Sequence, residues 1–175
     1  MSRISKEWIL NKRDKKDGDP KTASRRWIYL SIFICWLIDL FQWTQLPFVP
    51  NFLILCLVFW TIYQPQRIYY FLVFLLGILV DAGTGAVFGQ NAFIFCLVVF
   101  CTELMSVRLE WLSPLSQTVN LLPIFLIPAI VMTVEGLLLN NFTFSWTWYY
   151  KAAVSTVIWP IWAWLLSGRF LVRKE

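Results

Sequence analysis

The stretch Gly77-Ile-Leu-Val-Asp81-Ala-Gly83-Thr-Gly85-Ala-Val-Phe-Gly89 lies between two apolar runs and holds four of the seven glycines of this 175-residue chain. Its one charged residue, Asp81, follows a run that hydropathy places in or next to a bilayer. A charged side chain at the centre of a membrane helix costs about 2.5–3.5 kcal/mol. We therefore expect Asp81 to have a partner, to reach water, or to lie near a membrane surface.

The composition of the whole chain indicates a membrane protein. It is 59% hydrophobic and 14% charged, whereas roughly a quarter of the residues of a soluble domain are charged. Eleven Trp, fifteen Phe and six Tyr suit a bilayer protein, in which aromatic rings also form belts at both interfaces. We predict one compact all-α integral membrane domain, residues 27–175, preceded by a basic cytoplasmic leader, residues 1–26, with little order.

Several kinds of chemistry lack the residues they need. There is no histidine, which removes the usual general base and the commonest metal ligand. Gly83–Gly89 lacks the Lys and Ser/Thr ending of a phosphate-binding loop. The four cysteines lie inside apolar runs without a CxxC spacing, which favours free apolar side chains over disulfides; they are Cys35, Cys56, Cys96 and Cys101. We predict no enzyme, no metal site and no cofactor.

Apolar runs separated by polar or proline-containing segments predict six transmembrane helices. The predicted ranges are about 27–43, 46–63, 68–81, 90–106, 119–139 and 148–170. Pro50 suits a first helical turn, because proline has no N–H to leave unpaired there. The second and third helices are short for a span of roughly 20 residues, so we expect them to be buried against neighbours; a re-entrant segment is the alternative.

The basic residues fall on one side of this layout. With six crossings and the N-terminus inside, fourteen of the fifteen Lys and Arg residues face the cytoplasm and only Lys151 lies outside. This asymmetry follows the positive-inside rule and places both termini in the cytoplasm. Acidic residues interleave with the basic ones of the leader, which favours contact with lipid headgroups over nucleic-acid binding.

Four acidic residues lie within or at the ends of the predicted helices. Asp39, Asp81 and Glu135 fall toward the outer ends, and Glu103 falls toward the inner end. Such residues can form a proton path or a cation site. The alternative is that each lies at headgroup depth or caps a neighbouring turn.

The glycines of the opening stretch allow two structures. Gly77, Asp81, Gly85 and Gly89 recur every four residues, so on one continuous helix they would share a face that lets another backbone approach. Asp-Ala-Gly-Thr-Gly also reads as a turn, which would make the stretch a tight outer connection between helices 3 and 4. Either arrangement favours close packing, within the bundle or against a partner helix.

An ordered set of motifs resembles the bacterial rod shape-determining family MreD from helix 1 to the C-terminus. The set is Pro50-Asn51, Trp60, Pro65 with Arg67, Gly77-x-x-x-Asp81, Gly85, Gly89, Glu135 and Trp159-Pro160. The resemblance implies a non-enzymatic inner-membrane scaffold of the rod complex, or elongasome. The implied partners in lateral peptidoglycan synthesis are MreC, MreB, RodA and a penicillin-binding transpeptidase.

The resemblance also implies a fold similar to the S-components, the six-helix substrate-binding subunits of energy-coupling vitamin transporters. A small-molecule or ion-binding transporter subunit is therefore the alternative function. Its motivation is the acidic residues near the outer face, and Asp39, Glu103 and Glu135 are the candidate polar membrane residues of the chain. The candidate packing or partner contacts are Gly77, Asp81, Gly85, Gly89, Pro50, Asn51, Trp159 and Pro160.

Overall fold

The computed structural model describes residues 25–40, 49–138 and 146–170, and within these ranges it forms six α-helices joined by turns. The helices are α1 (Arg25–Leu40), α2 (Phe52–Tyr63), α3 (Tyr70–Thr84), α4 (Gln90–Glu110), α5 (Pro114–Leu138) and α6 (Trp146–Phe170), with a short 3-10 turn at Pro65–Arg67 after α2. The predicted all-α class is confirmed. The leader before Arg25, the connection 41–48, Asn140-Asn141, Arg173 and Lys174 lie outside the described ranges.

Two of these helices are long and apolar enough to cross a membrane by length and composition alone, Gln90–Glu110 and Leu115–Leu138. Phe52–Tyr63 and Tyr70–Thr84 are apolar but shorter. The chain passes back and forth between two ends of the bundle. We call the end where α1, α3 and α5 finish the Asp39 end, and the opposite end the Arg67 end.

The start predicted for the second helix is wrong. Val49, Pro50 and Asn51 are not helical, and α2 begins at Phe52. Asn51 is the N-cap, and its side-chain oxygen accepts a hydrogen bond from the Ile54 amide at 3.1 Å. Proline disfavours the helical conformation of the residue before it. Val49 is therefore not the start of the helix, and Pro50 lies before the cap.

Other helix ends differ from the predicted ranges by up to five residues. Helix α3 continues to Thr84, α4 continues to Glu110, and α5 begins at Pro114. The prediction stopped each helix where the apolar run ends. The helical backbone continues beyond the apolar runs into the polar residues that flank them.

Helix α2 is the centre of the bundle. Every residue from Leu53 to Ile62 is buried, and α2 packs against α1 and α4, with smaller contacts to α6. A helix enclosed by its neighbours does not have to match the thickness of a bilayer, which accounts for its 12 residues. The short α3 is different, because one of its faces is exposed.

The outside of the bundle is apolar. Large hydrophobic side chains are exposed on α1, α3, α4, α5 and α6, with Phe71 77% exposed and Trp164 73% exposed. Soluble monomers rarely expose continuous apolar surface of this kind. This surface is suited to lipid or to other membrane helices.

Candidate functional site

The Asp81 carboxylate links the end of α3 to the beginning of α4 by hydrogen bonds. One carboxylate oxygen accepts the Gly89 amide at 2.8 Å, and the other accepts both the Asn91 amide at 3.0 Å and the Asn91 side chain at 2.8 Å. The first amides of a helix have no partner within the helix, and Gly89, the N-cap of α4, has no side chain to supply one. Asp81, which is only 1% exposed, supplies it from the neighbouring helix.

The glycines of this stretch have different local roles. Gly85 ends α3 with φ of 68°, and Gly89 precedes α4 with φ of 93°, conformations that side-chain-bearing residues rarely adopt. Gly77 lies where α3 touches α4, and a Cβ placed on it would be 2.2 Å from the Ala92 Cα. The stretch is therefore a helix, a turn and a new helix, not one continuous helical face.

Asp39 accepts a backbone amide at the start of α2, as Asp81 does at the start of α4. Its carboxylate, which is 6% exposed, accepts the Leu53 amide at 3.0 Å. Together with Asn51, which accepts the Ile54 amide, it satisfies the first turn of α2. Negative charge at a helix N-terminus is also favoured by the helix dipole.

The other two acidic residues each pair with a neighbouring helix. Glu135 on α5 accepts a hydrogen bond from the Gln90 side chain at the start of α4. Glu103 on α4 accepts one from the Tyr70 hydroxyl at the start of α3, near the Arg67 end. Asp39, Asp81 and Glu135 thus share one end of the bundle, but each has its own partner. Within the described ranges, no three His, Cys, Asp or Glu residues come together to hold a metal ion.

A cavity of about 380 Å³ opens between the helices at the Asp39 end. Of the described residues that line it, Asp39 and Lys151 are the charged ones. Lys151, near the start of α6, is 6% exposed, and its ammonium lies 5.0 Å from the centre of the Trp148 ring. Asn51, Gln90 and Asn91 add amide groups to the wall. Sequence reasoning treated Lys151 only as the one outer positive charge; its position beside the aromatic run Trp148-Tyr-Tyr was the available signal.

Comparison with known protein families identifies the chain. The model of the family described as rod shape-determining protein MreD matches residues 24–168, a range that begins just before α1 and ends close to the end of α6. The chain belongs to the MreD family. Its role is therefore in determining rod shape, and the family is associated with membranes. No solved structure matches the chain.

A buried polar contact also holds the bundle together toward the Arg67 end. The Gln117 side chain on α5 is fully buried. It donates to the Leu109 carbonyl at 2.8 Å and accepts the Trp159 indole N–H at 3.1 Å. One side chain thereby links α4, α5 and α6. Sequence reasoning missed Gln117, because a single Gln just inside an apolar run carries no spacing signal.

The Trp159-Pro160 motif of this MreD-family chain lies inside α6. Trp159 is fully buried, and its ring centre is 5.9 Å from that of Phe125 and 6.5 Å from that of Phe59. Its indole therefore faces the core of the bundle. Gly77 is also buried, against Ala92.

Proposed function

We propose that this MreD-family protein is a non-enzymatic scaffold of the rod complex in the bacterial inner membrane. In this proposal all six helices cross the membrane, both termini are cytoplasmic, and the Asp39 end faces outward. The charge asymmetry supports the orientation, since the basic leader, Arg67, Arg108 and the C-terminal cluster then share the cytoplasmic side. The apolar surface of the outer five helices supports the placement in the bilayer.

The contrast between the polar interior contacts and the apolar exterior carries the scaffold proposal. Asp39, Asp81, Glu135 and Gln117 each bond to a neighbouring helix of the same chain. Their chemistry is thus used to fix the arrangement of the helices. What the bundle offers to other proteins in the bilayer is a rigid, shaped apolar surface, and membrane helices associate by packing on such surfaces.

The proposed partners are MreC, MreB, RodA and a penicillin-binding transpeptidase, with which this protein would direct lateral peptidoglycan synthesis. Of the candidate contacts, Gly77, Asp81, Gly85, Gly89, Pro50, Asn51, Trp159 and Pro160, we propose that all serve the fold of the bundle, Gly85 and Gly89 through the backbone conformation of the turn and the others through contacts or helix ends. Partner helices would then meet exposed side chains of α1, α3, α4, α5 or α6. Mutation of the packing residues would affect partners only through the fold.

Site-directed photocrosslinking in cells tests the scaffold. A photoreactive amino acid replaces one exposed residue on each of the five outer helices, and the buried Leu57 on α2 is the control. The exposed positions are Phe33 on α1, Phe71 on α3, Leu104 on α4, Val119 on α5 and Trp164 on α6. We expect MreC or RodA to be captured from one face of the bundle and not from Leu57. The test uses cells whose rod shape depends on the variant protein. If neither partner is captured at any exposed position in these cells, the proposal is contradicted.

The cavity at the Asp39 end favours a second candidate function, a small-molecule or ion-binding subunit of a transporter. Its volume of about 380 Å³ falls within the usual range of ligand pockets. Co-purification with a transport ATPase and uptake dependent on this chain would support that function. Normal uptake of small solutes in cells that lose rod shape without the protein would count against it.

A further inference from the structure

Glu103 carries a carboxylate on the outer surface of the bundle. Its side chain is exposed on α4, beside Leu104, which is 71% exposed. The carboxylate accepts a hydrogen bond from the hydroxyl of Tyr70, another exposed residue, at the start of α3. Asp39 and Asp81, by contrast, are buried and accept backbone amides of neighbouring helices. Glu103 is therefore not one of the interior contacts that hold the bundle together.

Along the chain, Glu103 lies well inside α4. Helix α4 has 21 residues, which gives it a length of about 31 Å, close to the roughly 30 Å of hydrocarbon in a bilayer. Glu103 lies seven residues before Glu110, the last residue of α4, and is thus about 10 Å from that end of the helix. Arg108 and Trp111, residue types that suit the interface, lie nearer that end. In the proposed membrane placement, the carboxylate is therefore below the headgroups of the cytoplasmic leaflet.

A charged side chain at this depth needs compensation. Acidic residues in membrane helices are rare, and they usually face the interior of a bundle, a water-filled cavity or an opposite charge. The Tyr70 hydroxyl occupies one acceptor position of the Glu103 carboxylate, but it is uncharged, and a carboxylate has about four such positions. Arg108, the basic residue of α4, is five residues away, whereas charges on one helix interact at spacings of three or four. Lipid chains offer neither a donor nor a charge, so compensation has to come from a group that lies against this face of α4.

The exposed side of α4 also forms a continuous surface for another helix. Phe93, Phe100 and Val107 are exposed large apolar residues at intervals of seven, and Glu103 lies between the last two. Residues seven apart share one side of a helix, and packed helices meet at this spacing. A second helix that follows the stripe 93–107 contacts α4 over about four turns.

The depth of the carboxylate distinguishes between the possible occupants of this face. The ammonium of an ethanolamine lipid stays at headgroup level, about 10 Å from Glu103 in this placement. A second copy of the chain, related by a two-fold axis, would bring two Glu103 carboxylates to the same depth. A Lys or Arg on another membrane helix is placed at the depth of Glu103 by its own helix, and its charge is at the end of a long apolar stem. The depth therefore favours a basic residue on a helix of another protein.

We propose that the face of α4 around Glu103 binds a transmembrane helix of another protein, and that a Lys or Arg of that helix pairs with the Glu103 carboxylate inside the membrane. Tyr70 positions the carboxylate through its hydrogen bond. An ion pair enclosed between two helices is screened less than a pair exposed to water. The inference rests on the proposed membrane scaffold, and it names the surface and the chemistry by which the scaffold recognises one partner.

Photocrosslinking from position 104, combined with changes of charge at Glu103, tests the pair in cells. We expect the protein with native Glu103 to capture one membrane protein through a transmembrane segment, and the linked peptide to contain a Lys or Arg within about two turns of the link. Glu103→Gln should lower the yield of this adduct about tenfold, the factor that corresponds to losing a hydrogen bond between charged groups. Glu110→Gln removes the same charge at the end of α4 and is the matched control, with an unchanged yield.

Exchange of the two charges separates an ion pair from apolar packing alone. Glu103→Lys should abolish capture. Replacement of the identified Lys or Arg of the partner by Glu should restore capture in the Glu103→Lys protein and abolish it in the protein with native Glu103. Thermal unfolding of the purified Glu103→Gln protein, which should match that of the unchanged protein, checks that its lower yield does not come from a damaged fold.

Equal adduct yields from the Glu103→Gln protein and the protein with native Glu103 overturn the inference. An adduct that joins position 104 to a second copy, to the same chain or to lipid alone also overturns it. Capture from Phe33, Val119 or Trp164 but not from Leu104 overturns it and leaves the scaffold proposal standing. Absence of capture from every exposed position contradicts both.

Discussion

At Gly77 the absence of a side chain allows α3 and α4 to touch. We expect Gly77→Ala to destabilise the bundle by about 1–3 kcal/mol, the usual effect of overpacking, because the added Cβ would lie 2.2 Å from the backbone of Ala92. Thermal unfolding in detergent measures the change. Gly83→Ala is the matched control, since its Cβ meets only the flexible end of Leu40. Equal losses in the two variants would contradict this explanation.

Removing the Asp81 carboxylate should expose the beginning of α4. We expect Asp81→Ala to lower stability by about 3 kcal/mol, because it leaves three donors without their acceptor, two of them backbone amides. Asp81→Asn keeps one acceptor oxygen and should cost less. The unfolding temperature of the purified protein measures both changes.

Glu103→Gln is the matched control for Asp81. Glu103 is an exposed carboxylate that bonds to Tyr70, so we expect its replacement to change stability by less than about 0.5 kcal/mol. An Asp81→Ala protein as stable as the Glu103→Gln protein would show that Asp81 does not hold α4.

The sequence predicted the location of the acidic residues better than their contacts. That Asp39, Asp81 and Glu135 share one end follows from counting residues along alternating helices. Which donor each one meets depends on which helices are neighbours, and hydropathy does not contain that information. Lys151 illustrates the same limit, because a charge counted as facing the outside is buried against Trp148.

At the scale of the elements, the turn between α3 and α4 depends on backbone conformation. Gly85 and Gly89 have φ of 68° and 93°, and no atom of the described residues lies within 4 Å of where a Cβ would stand. Any cost of substitution there comes from the backbone and not from crowding. We expect Gly85→Val to lower stability by about 1–2 kcal/mol, the typical cost of a left-handed residue.

Gly85→Asn separates backbone strain from side-chain volume. Asn adopts the left-handed region more readily than β-branched residues do, so we expect the Asn variant to be more stable than the Val variant. Urea unfolding of both proteins in detergent checks the order. The reverse order would contradict backbone strain as the cause of the cost at Gly85.

The structure of the turn could be predicted in part. Asp-Ala-Gly-Thr-Gly indicated a break, and α3 ends at Thr84 with Gly85 as its C-cap. The start of α2 could not be predicted in the same way. Pro50 suits several positions around a helix start, and the hydrogen bond from Ile54 to Asn51 decides between them.

In the whole molecule, the buried Gln117 side chain links three helices, α4, α5 and α6. We expect Gln117→Leu to lower stability by about 2 kcal/mol, because the Leu109 carbonyl and the Trp159 indole lose a buried partner. The melting temperature of the detergent-solubilised protein measures this. Asn120→Leu is the matched control, since the Asn120 side chain donates to Ser116 of its own helix. Equal effects of the two substitutions would remove the role assigned to Gln117.

The six helices of the described ranges were predictable because apolar runs, prolines and clustered charges are properties of the chain itself. The packing order was not. Helices α2 and α3 have similar apolar compositions, yet α2 is enclosed and α3 exposes Phe71 and Phe74. A run that is apolar on every side suits both lipid and protein neighbours, so hydropathy cannot distinguish an inner helix from an outer one.

The enclosure of α2 has a consequence for how the protein is made. A 12-residue helix is too short to cross a bilayer alone, since a span needs about 20 residues. During synthesis, α2 leaves the ribosome before α4 and α6, which later surround it. Helix α2 therefore reaches a stable position only after α4 and α6 have been made. Stable insertion of the early part of the chain thus depends on the later helices. A chain truncated before α4 should be a substrate for membrane quality-control proteases.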